Sequence, residues 1–161
     1  MNAKIITVWG ANGSGKTTVA ANLAAALADR DFMVGIITSK LYYGELQSLF
    51  GKRVETDKGI YRAISTGGNT KNMFEATDNP NLFILSPPND FDGMLLTAIS
   101  AETIKDLIKD SAIRFDYIII DEYQDISQLK YELTYKTAKR NDAKIYAVGD
   151  DWQSIYGFSG S

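Results

Sequence analysis

The sequence predicts an α/β fold, a mostly parallel five-stranded sheet with helices on both faces, and three observations carry that prediction. Short β-branched runs alternate with helix-forming stretches, which implies parallel strands joined by right-handed crossovers. A glycine-rich turn, Gly10-Ala11-Asn12-Gly13-Ser14-Gly15-Lys16-Thr17-Thr18, stands between the first apolar run and the first helical stretch. A second apolar run, Tyr117-Ile118-Ile119-Ile120, ends on the neighbouring carboxylates Asp121 and Glu122.

The turn keeps Gly-x4-Gly-Lys-Thr spacing from Gly10 to Thr17, with a strand before it and a helix after it. Glycines let successive backbone N–H groups of Ala11 to Thr18 point inward at a phosphate, and the helix N-terminus adds partial positive charge. Lys16 then reaches the β- and γ-phosphates, and the Thr17 hydroxyl can take a Mg²⁺ position. The reading is a triphosphate site in a three-layer P-loop NTPase fold.

The elements follow in order. Lys4–Val8 reads as a buried parallel strand. Thr17 to Asp29 reads as a helix, with Val19, Leu23 and Leu27 recurring every fourth residue and alanines between them permitting close approach to a sheet. Met33–Thr38 is the second strand, and Ser39 to Gly51 a loop followed by a short helix. Short helices are expected over Gly59–Ser65 and Lys71–Ala76, and Asn69, Asn79-Pro80 and Pro87-Pro88-Asn89 mark turns. Leu82–Leu85 is the third strand. Ser100 is placed to cap a helix from Ala101 to about Ser111, with Ile104, Leu107 and Ile108 on one face. Tyr117–Asp121 is the most apolar strand. Asp125 to Gln128 has capping-box spacing ahead of a helix carrying Ile126, Leu129 and Leu133 inward. Lys144–Val148 is the fifth strand. No repeat or linker interrupts the series, so residues 1–161 are expected to form one domain.

Composition narrows the chemistry. The 161 residues are 45% hydrophobic and 23% charged, ordinary for a globular domain. No window is apolar enough for a membrane span, no basic-then-apolar leader opens the chain, and the absence of Cys suits a cytoplasmic protein. With 0 Cys and 0 His, disulfides, thiolate catalysis, imidazole bases and zinc sites built on these residues are excluded. A net charge of −3 gives no global attraction to nucleic acid. The Lys136, Lys139, Arg140 and Lys144 group reads as a solvated helix end rather than a phosphate patch.

A carboxylate at the C-terminal end of a buried strand lies where open α/β sheets bind ligands. Together with the upstream loop, Asp121 is expected to hold Mg²⁺, usually through water, and Glu122 to orient or polarise an attacking water.

These stretches resemble two families. From Lys4 to about Asp121 the chain resembles MinD/ParA-type P-loop ATPases, in the Gly-Lys-Thr-Thr turn with its alanine-rich helix, Gly44-Glu45-Leu46 leading to Phe50-Gly51, Lys58-Gly59-Ile60-Tyr61, Asn81 to Leu85, and Phe115 to Asp121. From Tyr117 onward it resembles UvrD-like superfamily 1 DNA helicases. Asp121-Glu122-Tyr123-Gln124-Asp125 is similar to that family's Walker B motif, and Val148 to Phe158 to its motif III. Each half departs from its family. Ala11 stands where MinD/ParA ATPases carry an extra lysine, and Thr38-Ser39-Lys40 where they carry an aspartate. Ser159 replaces the helicase arginine, and the chain stops at Ser161, before a second motor domain.

The helicase resemblance implies that Gln153 senses the γ-phosphate and that Tyr156 and Phe158 stack on single-stranded bases; packing over the sheet end is the plainer role for those aromatics. It also implies that Lys144–Val148 inserts between Lys4–Val8 and Tyr117–Asp121, whereas in the MinD-like arrangement those two strands pair directly. Helicase-type insertion is the favoured expectation, because the Asp-Glu strand and the Gln153 segment belong to one family and keep their mutual packing. The expected function is Mg-dependent ATP binding with weak hydrolysis, no autonomous unwinding, weak single-stranded DNA affinity, and a partner domain or dimer mate needed for full activity. The alternatives are a MinD/ParA-like nucleotide-dependent binding module, or an engineered chimera whose halves do not cooperate.

Overall fold

The computed structural model describes residues 3–8, 13–38, 45–89 and 100–121. Its elements run β1 (Lys4–Thr7), α1 (Lys16–Ala28), β2 (Val34–Thr38), α2 (Glu45–Leu49), α3 (Gly59–Ser65), β3 (Glu75–Ala76), β4 (Leu82–Leu85), α4 (Ala101–Ser111) and β5 (Tyr117–Asp121). The strands form one sheet in the order β1-β5-β2-β4-β3. Every pairing is parallel except β3 with β4, which is antiparallel. The α/β P-loop fold expected from sequence is the fold observed.

Alternation along the strands sends successive side chains to opposite faces, and each face has its own core. Val8, Val34, Ile36, Leu82, Ile84 and Ile119 pack with the α1 alanines and Leu46 of α2. Ile37, Leu85, Ile118 and Ile120 pack on the other face with Ile60, Ala63 and Ile64 of α3 and Leu107 of α4. β5, β2 and β4, each flanked by a strand on both sides, are buried along nearly their whole length because helices cover both faces.

The face that α1 buries differs from the expectation. Ala20, Ala24 and Ala28 are buried with Lys16 and Thr17, whereas Val19 is 54% exposed. Leu23 and Leu27 only flank that core. The alanines approach the sheet closely, as their small size permits, while Leu23 and Leu27 pack at the margin of the same core and Val19 faces out.

Lys71–Ala76 is also corrected. Instead of a helix, Asn69 and Asn72 shape a turn, with the Lys71 N–H donating to Asn69 Oδ1 at 2.9 Å and Asn72 at φ 63°. Glu75–Ala76 then adds to the edge of β4. This short strand supplies the fifth member of the described sheet. Lys144–Val148 and the helix after Asp125 lie outside the described residues.

The loop between α3 and β3 is fixed to α4 by a polar knot. The Asp110 carboxylate accepts from the Thr70 N–H at 2.7 Å, from the Thr70 hydroxyl at 2.7 Å and from Arg114 Nη1 at 2.7 Å. Arg114 also donates to the Thr70 hydroxyl. At the start of α4, Ser100 Oγ accepts from the Thr103 N–H at 3.1 Å, the cap anticipated from sequence.

Candidate nucleotide site

The site grows from three chain segments that meet at the carboxyl edge of the sheet. β1 leads into the glycine-rich turn, whose described part begins at Gly13. Gly13 and Gly15 have φ of 73° and 81°, a left-handed backbone that side chains rarely adopt. A Cβ added at either would meet nothing within 4 Å, so the backbone conformation, not crowding, is what calls for glycine here. Gly15 is the N-cap of α1 and has no side chain to occupy the helix terminus, which leaves the first N–H groups to a ligand.

Lys16 and Thr17 follow directly on α1, and both are buried, Lys16 at 4% exposure. Ser14 and Thr18 are exposed on the same turn. Ala11 and Asn12 lie outside the described residues.

Asp121 ends β5 at 1% exposure. The β5–β2 register sets it directly opposite Thr38, and the β1–β5 register runs Lys4↔Tyr117 to Thr7↔Ile120. The Val8 N–H continues that ladder to the Ile120 carbonyl at 2.9 Å. The chain therefore leaves β1 for the turn beside Asp121. Thr17, Lys16 and Asp121 are brought to one edge, as the sequence motifs anticipated.

The direct β1–β5 ladder overturns the helicase-type insertion. No strand stands between Lys4–Thr7 and Tyr117–Asp121, so the reason for carrying Gln153 to the γ-phosphate falls with that insertion. Gln153, Glu122, Tyr156 and Phe158 themselves lie outside the described residues.

The donor set fits Mg²⁺ and a nucleotide. Among the described residues no group of three or more Asp or Glu side chains gathers into an all-protein metal cage. Magnesium commonly takes one or two carboxylates together with substrate phosphates and water, a set that Thr17, Asp121 and the cradle can supply.

Three buried polar residues lie near this edge, Thr38, Ser86 and Gln47; the sequence marked Thr38, in the stretch standing where MinD/ParA ATPases carry an aspartate, but not the other two. Gln47 Nε2 donates to the Pro87 carbonyl at 2.9 Å, which ties α2 to the segment after β4. Thr38 at the end of β2 and Ser86 just after β4 carry the signal of a polar residue closing an apolar strand, and Gln47 on α2 carries none.

Among the described residues no helix is long and apolar enough to cross a membrane. Comparison with known proteins separates the two resemblances. The solved MinD septum site-determining protein of Pyrococcus horikoshii, complexed with Mg-ADP, superposes with a TM-score of 0.68 at 19% identity, over 89% of this chain and 68% of that one. A ParA family ATPase of Chlorobium tepidum gives 0.69 at 18%, over 91% and 73%. Both likenesses concern the fold. By sequence the chain is similar to DNA helicase IV of Escherichia coli, 31% identical over 119 residues, which is 73% of this chain but 14% of that protein. The chain thus spans a small part of the relative it matches. Residues 42–161 match the UvrD/REP helicase N-terminal domain, so a MinD/ParA-like fold carries a helicase-type sequence, and the chain belongs to the UvrD/REP helicase N-terminal domain family.

Proposed function

We propose that this chain is a Mg-dependent ATP-binding domain in which the turn from Gly10 to Thr18 holds the triphosphate. The observation that carries the reading is the convergence of a left-handed glycine cradle, buried Lys16 and Thr17, and buried Asp121 at one sheet edge. The backbone N–H groups of the turn bind phosphate oxygens, and Lys16 adds the charged donor. Thr17 and Asp121 hold the cation, which when bound neutralises phosphate charge.

ATP hydrolysis is weak in the isolated chain, and strand separation is absent, because one motor domain cannot alternate its grip on DNA. The adjacency of β1 and β5 favours a second reading beside this one, a nucleotide-dependent binding module of the MinD/ParA kind that acts through a partner domain or a dimer mate.

Titration with a fluorescent ATP analogue, run beside a phosphate-release assay, tests both. Lys16→Ala is expected to abolish most triphosphate affinity, since it removes the charged donor of the turn. Equal affinity of wild type and variant would mean that the turn is not the phosphate site. Clear turnover by the wild type alone would exclude the pure binding module.

A further inference from the structure

The strand registers extend the site sideways. Ile119, Ile36 and Ile84 all belong to the core beneath α1, so the residues two further on, Asp121, Thr38 and Ser86, fall on that same face. Asp121 stands opposite Thr38. One step beyond the Ile37↔Leu85 pair, the β2–β4 register brings Ser86 beside Thr38. The carboxyl edge beneath α1 is therefore a row of Asp121, Thr38 and Ser86, on three neighbouring strands. Gln47, on α2, reaches the same place through its bond to Pro87.

Two atoms of this group stand out. Ser86 Oγ and Gln47 Oε1 are fully buried and have no hydrogen-bond partner among the described residues. Donation by Nε2 to a carbonyl fixes the orientation of the Gln47 amide, so Oε1 cannot be exchanged with Nε2 to remove the deficit. Buried polar groups of this kind are normally satisfied by ordered water. A site with several polar neighbours is where such water is held, and this one adjoins the carboxylate assigned to the cation.

We propose that Thr38, Ser86 and Gln47 hold ordered water in a buried row continuing from Asp121, and so act as positioning residues for the divalent cation. The inference rests on the nucleotide reading of the Gly10–Thr18 turn. Partners one shell out from a metal orient the groups that touch it, and their loss weakens the metal without touching the phosphate cradle. In this chain Thr38 then contributes a hydroxyl, through water, at a strand end that offers no carboxylate.

The test measures cation affinity apart from turnover. Mn²⁺ binding to the chain with ATP is followed by electron paramagnetic resonance, nucleotide binding is measured with and without Mg²⁺, and thermal unfolding is recorded for each variant. Thr38→Val and Ser86→Ala are each expected to weaken Mn²⁺ about tenfold while metal-free nucleotide affinity stays unchanged. Thr38→Ser should restore the cation. If Ser86→Ala instead raises the melting temperature and leaves Mn²⁺ affinity untouched, its hydroxyl is a dry, unsatisfied group and the row is overturned. Wild type that binds nucleotide, with Asp121→Asn losing Mn²⁺ but Thr38→Val and Ser86→Ala not, overturns this inference alone. Wild type that binds no nucleotide overturns the reading beneath it as well.

Discussion

Asp110 couples the fold to pH through the knot it makes with Thr70 and Arg114. Burial on its own raises its pKa, but the hydrogen bonds from Arg114 and Thr70, with the Arg114 charge, outweigh burial and hold the carboxyl below its ordinary value. A depressed folded value means that the unfolded chain takes up the proton first. The knot therefore stabilises fully above the usual carboxylate range, and that contribution is lost as pH falls through the lowered folded value. Asp110→Asn is expected to cost about 1 kcal/mol at neutral pH, a modest figure because the side chain is a third exposed and solvent screens the pair. Denaturant melts at neutral and acid pH check this, and the gap between wild type and variant should close in acid. None of this knot was legible in the sequence, since Thr70 and Asp110 meet only through folding. Lys16, Thr17 and Asp121 were legible because each belongs to a motif whose spacing is local. The grouping of Thr38 with Ser86 and Gln47 was not, because strand register and the bond from Gln47 to Pro87 bring them together.

At the scale of elements, α1 shows where periodicity misleads. Val19, Leu23 and Leu27 form the more hydrophobic stripe, yet the alanine stripe faces the sheet because distance of approach, not hydrophobicity, decides the contact. Ala24→Leu is expected to destabilise the fold by about 1–3 kcal/mol through overpacking, and Val19→Ser to change stability by less than about 0.5 kcal/mol. Chemical denaturation of the two variants distinguishes the faces. β3 escaped notice because two residues carry no period, and an Asn-rich turn before them reads as readily as a helix start. α4 was legible because Ser100 and the spacing of Ile104, Leu107 and Ile108 agree. A close backbone approach also orders α3. Gly59 has φ 78°, and a Cβ there would lie 2.5 Å from the Ser86 carbonyl oxygen, so this helix start accepts no larger residue.

For the whole molecule, strand order decides which residues can work together. With β1 paired directly to β5, Glu122→Gln is expected to leave ATP binding intact and residual hydrolysis little changed. Loss of phosphate release in that variant, with binding preserved, would restore a catalytic part for Glu122. The net charge of −3 argues that any affinity for single-stranded DNA is weak and falls steeply with salt. Fluorescence anisotropy with a labelled oligonucleotide over a salt series measures it, and tight, salt-insensitive binding would contradict the expectation. The fold class was legible because strand–turn–helix alternation is a local property. The order β1-β5-β2 was not, since both families share the local pattern and differ only in which distant strands pair.

That same order has a consequence for how the chain is made. Lys4 finds its partner in Tyr117, nearly the whole described length away, and β1 has no other pairing among the described strands. On the ribosome, β1 emerges first and waits, whereas β2 and β4 can pair as soon as Leu82–Leu85 is synthesised. Closing the long loop from β1 to β5 costs chain entropy that only the completed ladder returns. The phosphate cradle hangs from the end of β1, so the binding pocket takes shape among the last parts of the fold. A nascent chain is therefore expected to bind nucleotide only after β5 has joined the sheet.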